Sequence, residues 1–191
     1  MYVPEAAAQP LSPTSEQRLQ REARAGSREA FDSMLAPVIE PAYSIAYSIL
    51  RDRGESEDAV QEAAVKAWRK LDQLRDGGTF RSWFFSIVVN ECRMTRRQRW
   101  SSVVKLAEVE RGSAAMEEAV VQNLDLRQRL GRLPDGDRTI VLLHFYLDLP
   151  MEEVGRIVGL STSAAKSRLY RALQRISERD NSRTLEGLPA A

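Results

Sequence analysis

The stretch GLSTSAAKSRLYRAL, residues 159–173, decides how the C-terminal part of the chain folds. Gly159 permits a tight turn, and Ser161 belongs to the residue types that cap helix N-termini. Before the turn, residues 151–158 form a short amphipathic pattern with Glu152 and Glu153 at its start, where a helix favours negative charge. The pattern therefore predicts a helix, a turn and a second helix.

The second helix has two contrasting faces. At helical spacing one side holds Ala165, Leu169, Ala172 and Ile176, which are predicted to pack inward. The other side holds Ala164, Arg168, Arg171 and Arg175, with Ser163 and Ser167 beside them, and residues 162–175 contain no acid.

Such a face suits the DNA major groove. Small side chains in the first turn let the helix end approach the floor of the groove, and the arginines can reach phosphates or guanine edges. We expect base reading from Ser163, Ala164 and Ser167, and mainly phosphate contacts from Arg168 and Arg175; Arg171 is open between these roles. A solvated basic face explains most single basic helices, but the turn, cap and one-sided arginines together favour DNA binding.

A second basic segment is FRSWFFSIVVNECRMTRRQRW, residues 80–100. Its helical pattern predicts an apolar side formed by Trp83, Ile87 and Met94 and extended by Phe84 and Val88. The opposite side carries Ser86, Arg93, Arg96, Arg97 and Trp100. Arginines combined with an aromatic ring can hold a phosphate backbone and stack on an unpaired base. We expect Trp83, Phe84 and Ile87 to be core residues and the arginine face to bind nucleic acid.

The preceding segment, DAVQEAAVKAWRKLDQL, residues 58–74, predicts a helix of a different kind. Its inner stripe is Val60, Ala64, Ala67, Leu71 and Leu74, and Ser56 is the predicted start. Its outer row is Asp58, Glu62, Val65 and Arg69. An acidic face repels DNA, so this face is predicted to bind protein; the alternative is a solvated face with one exposed valine.

Composition narrows the function classes. Of 191 residues 43% are hydrophobic, as in ordinary globular proteins. One cysteine and one histidine leave little for zinc chemistry or for Ser-His and Cys-His catalysis. No stretch has the length of apolar residues that a membrane span needs, and the N-terminus lacks a signal-peptide pattern. We therefore expect a cytoplasmic protein without cofactor or metal and without membrane insertion.

The chain divides into predicted parts. Residues 1–15 are a proline-rich, disordered tail, 16–99 a helical domain, 100–122 an acidic linker, 123–178 a helix-turn-helix domain, and 179–191 a tail. The apolar run IVLLHFYLDL, residues 140–149, fits a buried helix, although periodicity alone leaves a strand open. The predicted fold is all-α, with two small helical domains joined by a flexible linker.

These segments together resemble a bacterial sigma-70 family member of the extracytoplasmic-function group. The resemblance rests on DAVQEAAVKAW, FRSWFFSIVVNECRMTRRQR and LPDGDRTIVLLHFYLDLPMEEVGRIVGLSTSAAKSRLYRA, and it spans about residues 28–178. It implies a domain that reads and opens the promoter −10 element, a linker, and a domain that reads the −35 element. The chain departs from the family pattern in three places. Pro150 is expected to preserve the helix start, the loop RDGGT, residues 75–79, offers few side chains to a flipped −10 base because of its two glycines, and Gly136 is expected to weaken the helix after Pro134.

The resemblance also implies sites and partners. Docking on the β′ clamp helices of core RNA polymerase falls on Asp58, Gln61, Glu62, Val65 and Arg69. The −10 contacts fall on Arg75, Asp76, Gly77, Gly78, Thr79, Ser86, Asn90, Arg93, Arg96, Arg97 and Trp100. The −35 contacts fall on Ser161, Thr162, Ser163, Ala164, Lys166, Ser167, Arg168, Arg171 and Arg175. Family members are often held inactive by an anti-sigma factor. The expected partners are therefore core RNA polymerase, promoter DNA and an anti-sigma factor.

The predicted function is a non-enzymatic sigma factor that directs polymerase to promoters. One alternative is a stand-alone helix-turn-helix regulator, which would bind operator DNA without polymerase, normally as a dimer. Another is a nuclease, which would need clustered acids for a metal ion, whereas the acids here lie outside the basic segments.

Overall fold

The structure is a computed structural model that describes residues 13–75, 78–103 and 130–186, with side chains for 15–75, 78–99 and 130–177. Most of the predicted tails and linker, together with Asp76, Gly77 and the side chain of Trp100, lie outside these residues. The chain divides into two compact units, Met1–Ser113 and Ala114–Ala191. In the described ranges all regular structure is helical, which confirms the predicted all-α fold.

Four helices pack together in the N-terminal unit: α1 (Pro13–Arg24), α2 (Arg28–Leu50), α3 (Arg53–Arg69) and α4 (Phe80–Val103). A 3₁₀ turn, Leu71–Gln73, follows α3. Helix α1 begins inside the segment 1–15 that is predicted to be disordered. Its first residue is Pro13, and proline suits the first position of a helix. The core lies between α2, α3 and α4, where its largest fully buried side chains are Met34, Ile45, Phe80, Phe84 and Phe85.

The start of α3 corrects one prediction. Ser56 is not the cap; the helix begins at Arg53, because Asp52 is extended and its carboxylate accepts a hydrogen bond from the Glu55 amide at 2.9 Å. Ser56 is buried within the first turn. The predicted inner stripe is largely buried, at Val60, Ala67, Leu71 and Leu74, although the last two lie beyond the helix end. Ala64 is only half-buried, and its neighbour Ala63 is fully buried instead.

The buried face of α4 also differs from the predicted one. It consists of Phe80, Phe84, Phe85, Val88, Val89 and Cys92. Trp83 and Ile87 are half-buried, and Met94 is 45% exposed, so Met94 is not a core residue. Trp83, Ile87 and Met94 form a row about 100° round the helix from Phe84 and Val88, and this row lies along the edge of the buried face.

The C-terminal unit contains α5 (Asp135–Val141), a π turn (Leu142–Tyr146), α6 (Met151–Val158) and α7 (Thr162–Glu186). The apolar run 140–149 is helical as far as Tyr146, as favoured over a strand. It is not buried throughout, since Phe145 is 60% exposed. The backbone of α7 continues into the predicted tail because no Gly or Pro interrupts it before Gly187.

The turn between α6 and α7 forms as predicted. Gly159 adopts a left-handed conformation with φ 71°, and Pro150 precedes α6 with its carbonyl accepting from the Val154 amide at 3.0 Å. A glycine that sequence reading missed is also needed: a Cβ on Gly155 would lie 2.9 Å from the Leu160 carbonyl oxygen. This close approach lets the turn pack against α6.

In the described part of the chain, no helix is long and apolar enough to cross a membrane.

Candidate nucleic-acid interfaces and protein-docking face

The first turn of α7 is capped and open to solvent. The Ser161 hydroxyl accepts a hydrogen bond from the Ala164 amide at 3.2 Å. Ser163, Ala164 and Ser167 are exposed, as is Lys166, while Thr162 is half-buried. The inward face is as predicted, with Ala165, Leu169 and Ala172 buried and Ile176 half-buried. The helix therefore offers small side chains to a groove floor.

The three arginines on the outer face of α7 have different hydrogen-bond partners, although their regular spacing indicated similar surroundings. Arg168 Nε donates to Asp137 Oδ1 at 2.7 Å, and Arg175 Nη1 donates to Asp137 Oδ2. Arg171 is exposed, and its Nε donates only to the Ser167 carbonyl of its own helix, at 3.4 Å. The acid-free stretch 162–175 of α7 thus receives a carboxylate from α5, which sequence reading did not foresee.

These arginines border a concavity of about 330 Å³ at the N-terminal part of α7. Its wall is formed by Pro134, Asp137, Leu160, Ala164, Arg168, Arg171 and Arg175. Three guanidinium groups around one carboxylate leave the wall with net positive charge, which suits a phosphate or the acceptor edge of a base. Lys166 adds a contact of 4.0 Å to Glu152 of α6, an exposed pair of little energetic consequence.

The predicted −10 residues that the structure describes lie on or just before α4. Asn90, Arg93, Arg96 and Arg97 are exposed along the helix, and Arg75 and Thr79 are exposed before it. Gly78 is half-buried. Ser86 is half-buried too, and its hydroxyl donates to the Trp83 carbonyl at 2.6 Å. Ser86 therefore keeps only its acceptor lone pairs for a nucleic acid.

Helix α1 forms hydrogen bonds with the segment before α4, a contact that the sequence did not indicate. Glu16 Oε1 accepts from the Phe80 amide at 2.6 Å, and Gln20 Nε2 donates to the Gly78 carbonyl at 3.3 Å. Arg24 donates to the Leu74 carbonyl. The first turn of α4 contains no acid of its own, so Glu16 supplies the negative charge that favours a helix N-terminus. One face of α1 thereby fixes both ends of the predicted −10 loop.

We expect Glu16→Ala to lower the stability of the chain by roughly 1–2 kcal/mol, because the Phe80 amide loses its acceptor. Glu16→Gln keeps an acceptor and should cost less. Thermal unfolding followed by circular dichroism measures both. Glu22→Ala is the matched control, since Glu22 makes only an exposed pair with Arg18 at 3.7 Å. Equal effects of Glu16→Ala and Glu22→Ala would contradict the capping role.

The outer face of α3 is exposed at all five residues predicted to dock on polymerase: Asp58, Gln61, Glu62, Val65 and Arg69. Val65 is 43% exposed, and Trp68, one turn further along the helix, is exposed as well. Sequence reading missed Trp68, whose ring contacts Phe31 edge-on with centroids 5.1 Å apart. An apolar pair within an acidic face is the composition of a protein-binding surface.

Lys66 connects this face to the core. Its Nζ lies 2.5 Å from Glu91 Oε2 of α4 and 3.4 Å from Glu62 Oε1, and the hydrogen bond that Nζ donates to Glu91 raises the pKa of Lys66. The ion pair links α3 to α4, so the outer face of α3 and the basic face of α4 belong to one packed unit.

Cys92 is buried, and burial raises the pKa of its thiol to about 12, so the group stays protonated at neutral pH. Among the residues that the structure describes, no group of three His, Cys, Asp or Glu side chains is arranged to hold a metal ion.

Comparison with known proteins gives consistent matches. Residues 37–102 match the family sigma-70 region 2, and residues 123–176 match sigma-70, region 4. The chain is 34% identical over 133 residues to the RNA polymerase sigma factor SigV of Bacillus subtilis, covering 69% of this chain and 80% of SigV. It is 29% identical over 182 residues to the ECF RNA polymerase sigma-E factor of Escherichia coli K12, covering 86% and 94%.

Solved structures show the same likeness. The sigma factor RpoE in complex with the anti-sigma factor NepR, from Bartonella quintana, has a TM-score of 0.69 and 27% identity, covering 78% of this chain and 94% of RpoE. CnrH in complex with the cytosolic domain of CnrY has a TM-score of 0.66 and 25% identity, covering 88% of this chain and 98% of CnrH.

Proposed function

Because the chain belongs to the sigma-70 family, as an extracytoplasmic-function sigma factor that directs promoter-specific initiation by RNA polymerase, we propose a role for each exposed face. The outer face of α3 binds core polymerase, α4 with the segment before it binds the −10 element, and α7 binds the −35 element. The observation that supports the proposal is that each helix buries one face in its own unit and exposes most of the proposed binding positions that the structure describes.

Docking on the β′ clamp helices is assigned to Asp58, Gln61, Glu62, Val65 and Arg69. The support is their common exposure on α3 and the addition of Trp68 beside Val65. Apolar residues at the centre of an interface supply affinity, and charged residues around them supply orientation and association rate.

Contacts to the −10 element are assigned to Asn90, Arg93, Arg96 and Arg97 of α4, with Arg75 and Thr79 at the loop. Their support is exposure on a helix whose other side is deeply buried, so the basic row has a fixed position. Asp76, Gly77 and Trp100 belong to the same proposed site by sequence. Promoter melting needs no catalytic group, since binding the unpaired strand more tightly shifts the equilibrium towards opening.

Three further statements complete the proposal. The chain is not an enzyme, because its family works by binding. It acts in the cytoplasm, where RNA polymerase works. An anti-sigma factor holds it inactive, a proposal supported by the two similar structures, which are complexes of RpoE with NepR and of CnrH with CnrY.

The test is in vitro transcription with purified core polymerase on a library of genomic promoter fragments. We expect specific transcripts only when chain and core are both present, with start sites that share −35 and −10 sequences. A stand-alone regulator would instead protect a specific DNA site without core polymerase. Specific protection by the free chain, with no promoted transcription, would overturn the proposed roles.

A further inference from the structure

Asp137 sits at the centre of the arginine cluster on α7. Its side chain is 5% exposed, and each carboxylate oxygen accepts from a different arginine, Arg168 or Arg175. The two arginines are two helical turns apart on one face and stay 38% and 50% exposed. One buried acid of α5 therefore fixes two half-exposed cations of the helix proposed to read DNA.

Gly136 makes room for this arrangement. A Cβ on Gly136 would lie 2.5 Å from Nη2 and 2.9 Å from Cζ of Arg168, closer than such atoms approach. The Arg168 guanidinium thus lies directly over the Gly136 backbone. The same glycine was expected to weaken the start of α5, yet α5 begins at Asp135 and includes it. Residues 136 and 137 act together: one clears the space, and the other binds the guanidinium.

Stability alone is a poor explanation for Asp137. Burying a carboxylate costs free energy, and a buried ion pair often adds no net stability over an apolar side chain of similar size. The arrangement does restrict Arg168 and Arg175, so that less side-chain entropy remains to be lost when these arginines are ordered on DNA. It also cancels one positive charge on the proposed DNA-binding face.

We propose that Asp137 is a positioning residue for −35 recognition, an inference that rests on the proposed role of α7. Asp137 holds Arg168 and Arg175 in defined orientations beside the concavity and removes one unit of charge available to phosphates. Both effects favour discrimination between sequences over indiscriminate attraction to the DNA backbone, because phosphate contacts carry no sequence information. Arg171, which has no carboxylate partner among the described residues, supplies the unshared charge.

The test uses Asp137→Asn in holoenzyme, with binding measured on promoters that carry matched and mismatched −35 elements across a salt series. We expect tighter binding to mismatched promoters, a matched-to-mismatched ratio lowered at least about threefold, and a salt dependence steeper by about one charge. Asp148→Asn is the control: Asp148 is an exposed acid of the same unit with φ 51°, a conformation that asparagine tolerates, and its removal should change neither quantity.

A double-mutant cycle separates positioning from general effects on the fold. In an Arg168→Gln/Arg175→Gln background, Asp137→Asn should have no further effect on discrimination, because its action passes through those arginines. Gly136→Ala is a second variant that keeps the carboxylate but displaces Arg168, and it should lower discrimination without unfolding the unit. Circular dichroism and thermal unfolding monitor folding in each case.

The results distinguish the possible failures. The positioning role would be overturned if Asp137→Asn and Gly136→Ala changed neither discrimination nor salt dependence while the arginine substitutions had clear effects. In that case α7 would still be the −35 reader. No effect of substitutions at Arg168, Arg171 and Arg175 on any −35 variant would overturn the proposed role of α7 itself.

Discussion

Reversing the charge of Asp58 and Glu62 to Lys is expected to abolish stable association with core polymerase. Both residues are exposed on α3, and among the described side chains Glu62 pairs with Lys66, at 3.4 Å between Oε1 and Nζ. A partner that binds an acidic face presents complementary charge, and placing like charges together costs several kcal/mol. We therefore expect the dissociation constant to rise at least about 100-fold. Titration of labelled chain with core polymerase measures it.

The folded state should survive this double reversal, since exposed pairs of this kind contribute less than about 1 kcal/mol. The control is Asp32→Lys with Glu40→Lys, the same change in charge at two exposed acids of α2. It should leave association with core nearly unchanged. Normal affinity of the Asp58/Glu62 variant, or equal loss in the control, would mean that α3 does not provide the docking face.

The helix-turn-helix was predictable because its signals are local. The Ser161 cap, the Gly159 turn and the bounds of α6 each depend on a few neighbouring residues whose conformations limit what the chain can form. The inward face of α7 followed from the helical period alone, and its members are buried or half-buried as predicted. The same locality explains why the all-α fold could be read from the sequence.

Local signals failed where two cap residues competed. Asp52 and Ser56 are both good N-cap types, and the acids after Ser56 made it look like the start of α3. The end of α2 determines which residue caps α3, because Arg51 adopts a left-handed conformation there and Asp52 is extended. Asp52 therefore meets the free amides first, and Ser56 is carried into the first turn.

Contacts between distant elements were beyond the reach of periodicity. Asp137 precedes Arg168 by 31 residues, and Glu16 precedes Phe80 by 64, so neither pairing leaves a pattern in a helical window. Glu16, Gln20 and Arg24 follow one another at a spacing of four residues, which is also the spacing of any solvated helix face. Their functional meaning depends on the packing of α1 against the segment before α4, which is a property of the tertiary fold.

The arginines of α7 are expected to differ in their contribution to promoter binding, because Asp137 shares its charge with only two of them. Arg171→Ala should weaken binding of holoenzyme to promoters without unfolding the unit, since its side chain is exposed and makes one weak bond to its own helix. It should lower the salt dependence by about one charge if Arg171 meets a phosphate. Arg168→Ala should lower it by less, because Asp137 already neutralises part of the charge that Arg168 offers to a phosphate.

A base contact by Arg171 gives a different result. Arg171→Ala would then cost roughly 1–3 kcal/mol on the matched −35 element and much less on a mismatched one. Binding and transcription by holoenzyme on promoters varied at −35, over a salt series, separate the two roles. Arg132→Ala is the control, an exposed arginine of the same unit outside α7. If neither Arg171→Ala nor Arg168→Ala changes transcription on any −35 variant, α7 does not read DNA.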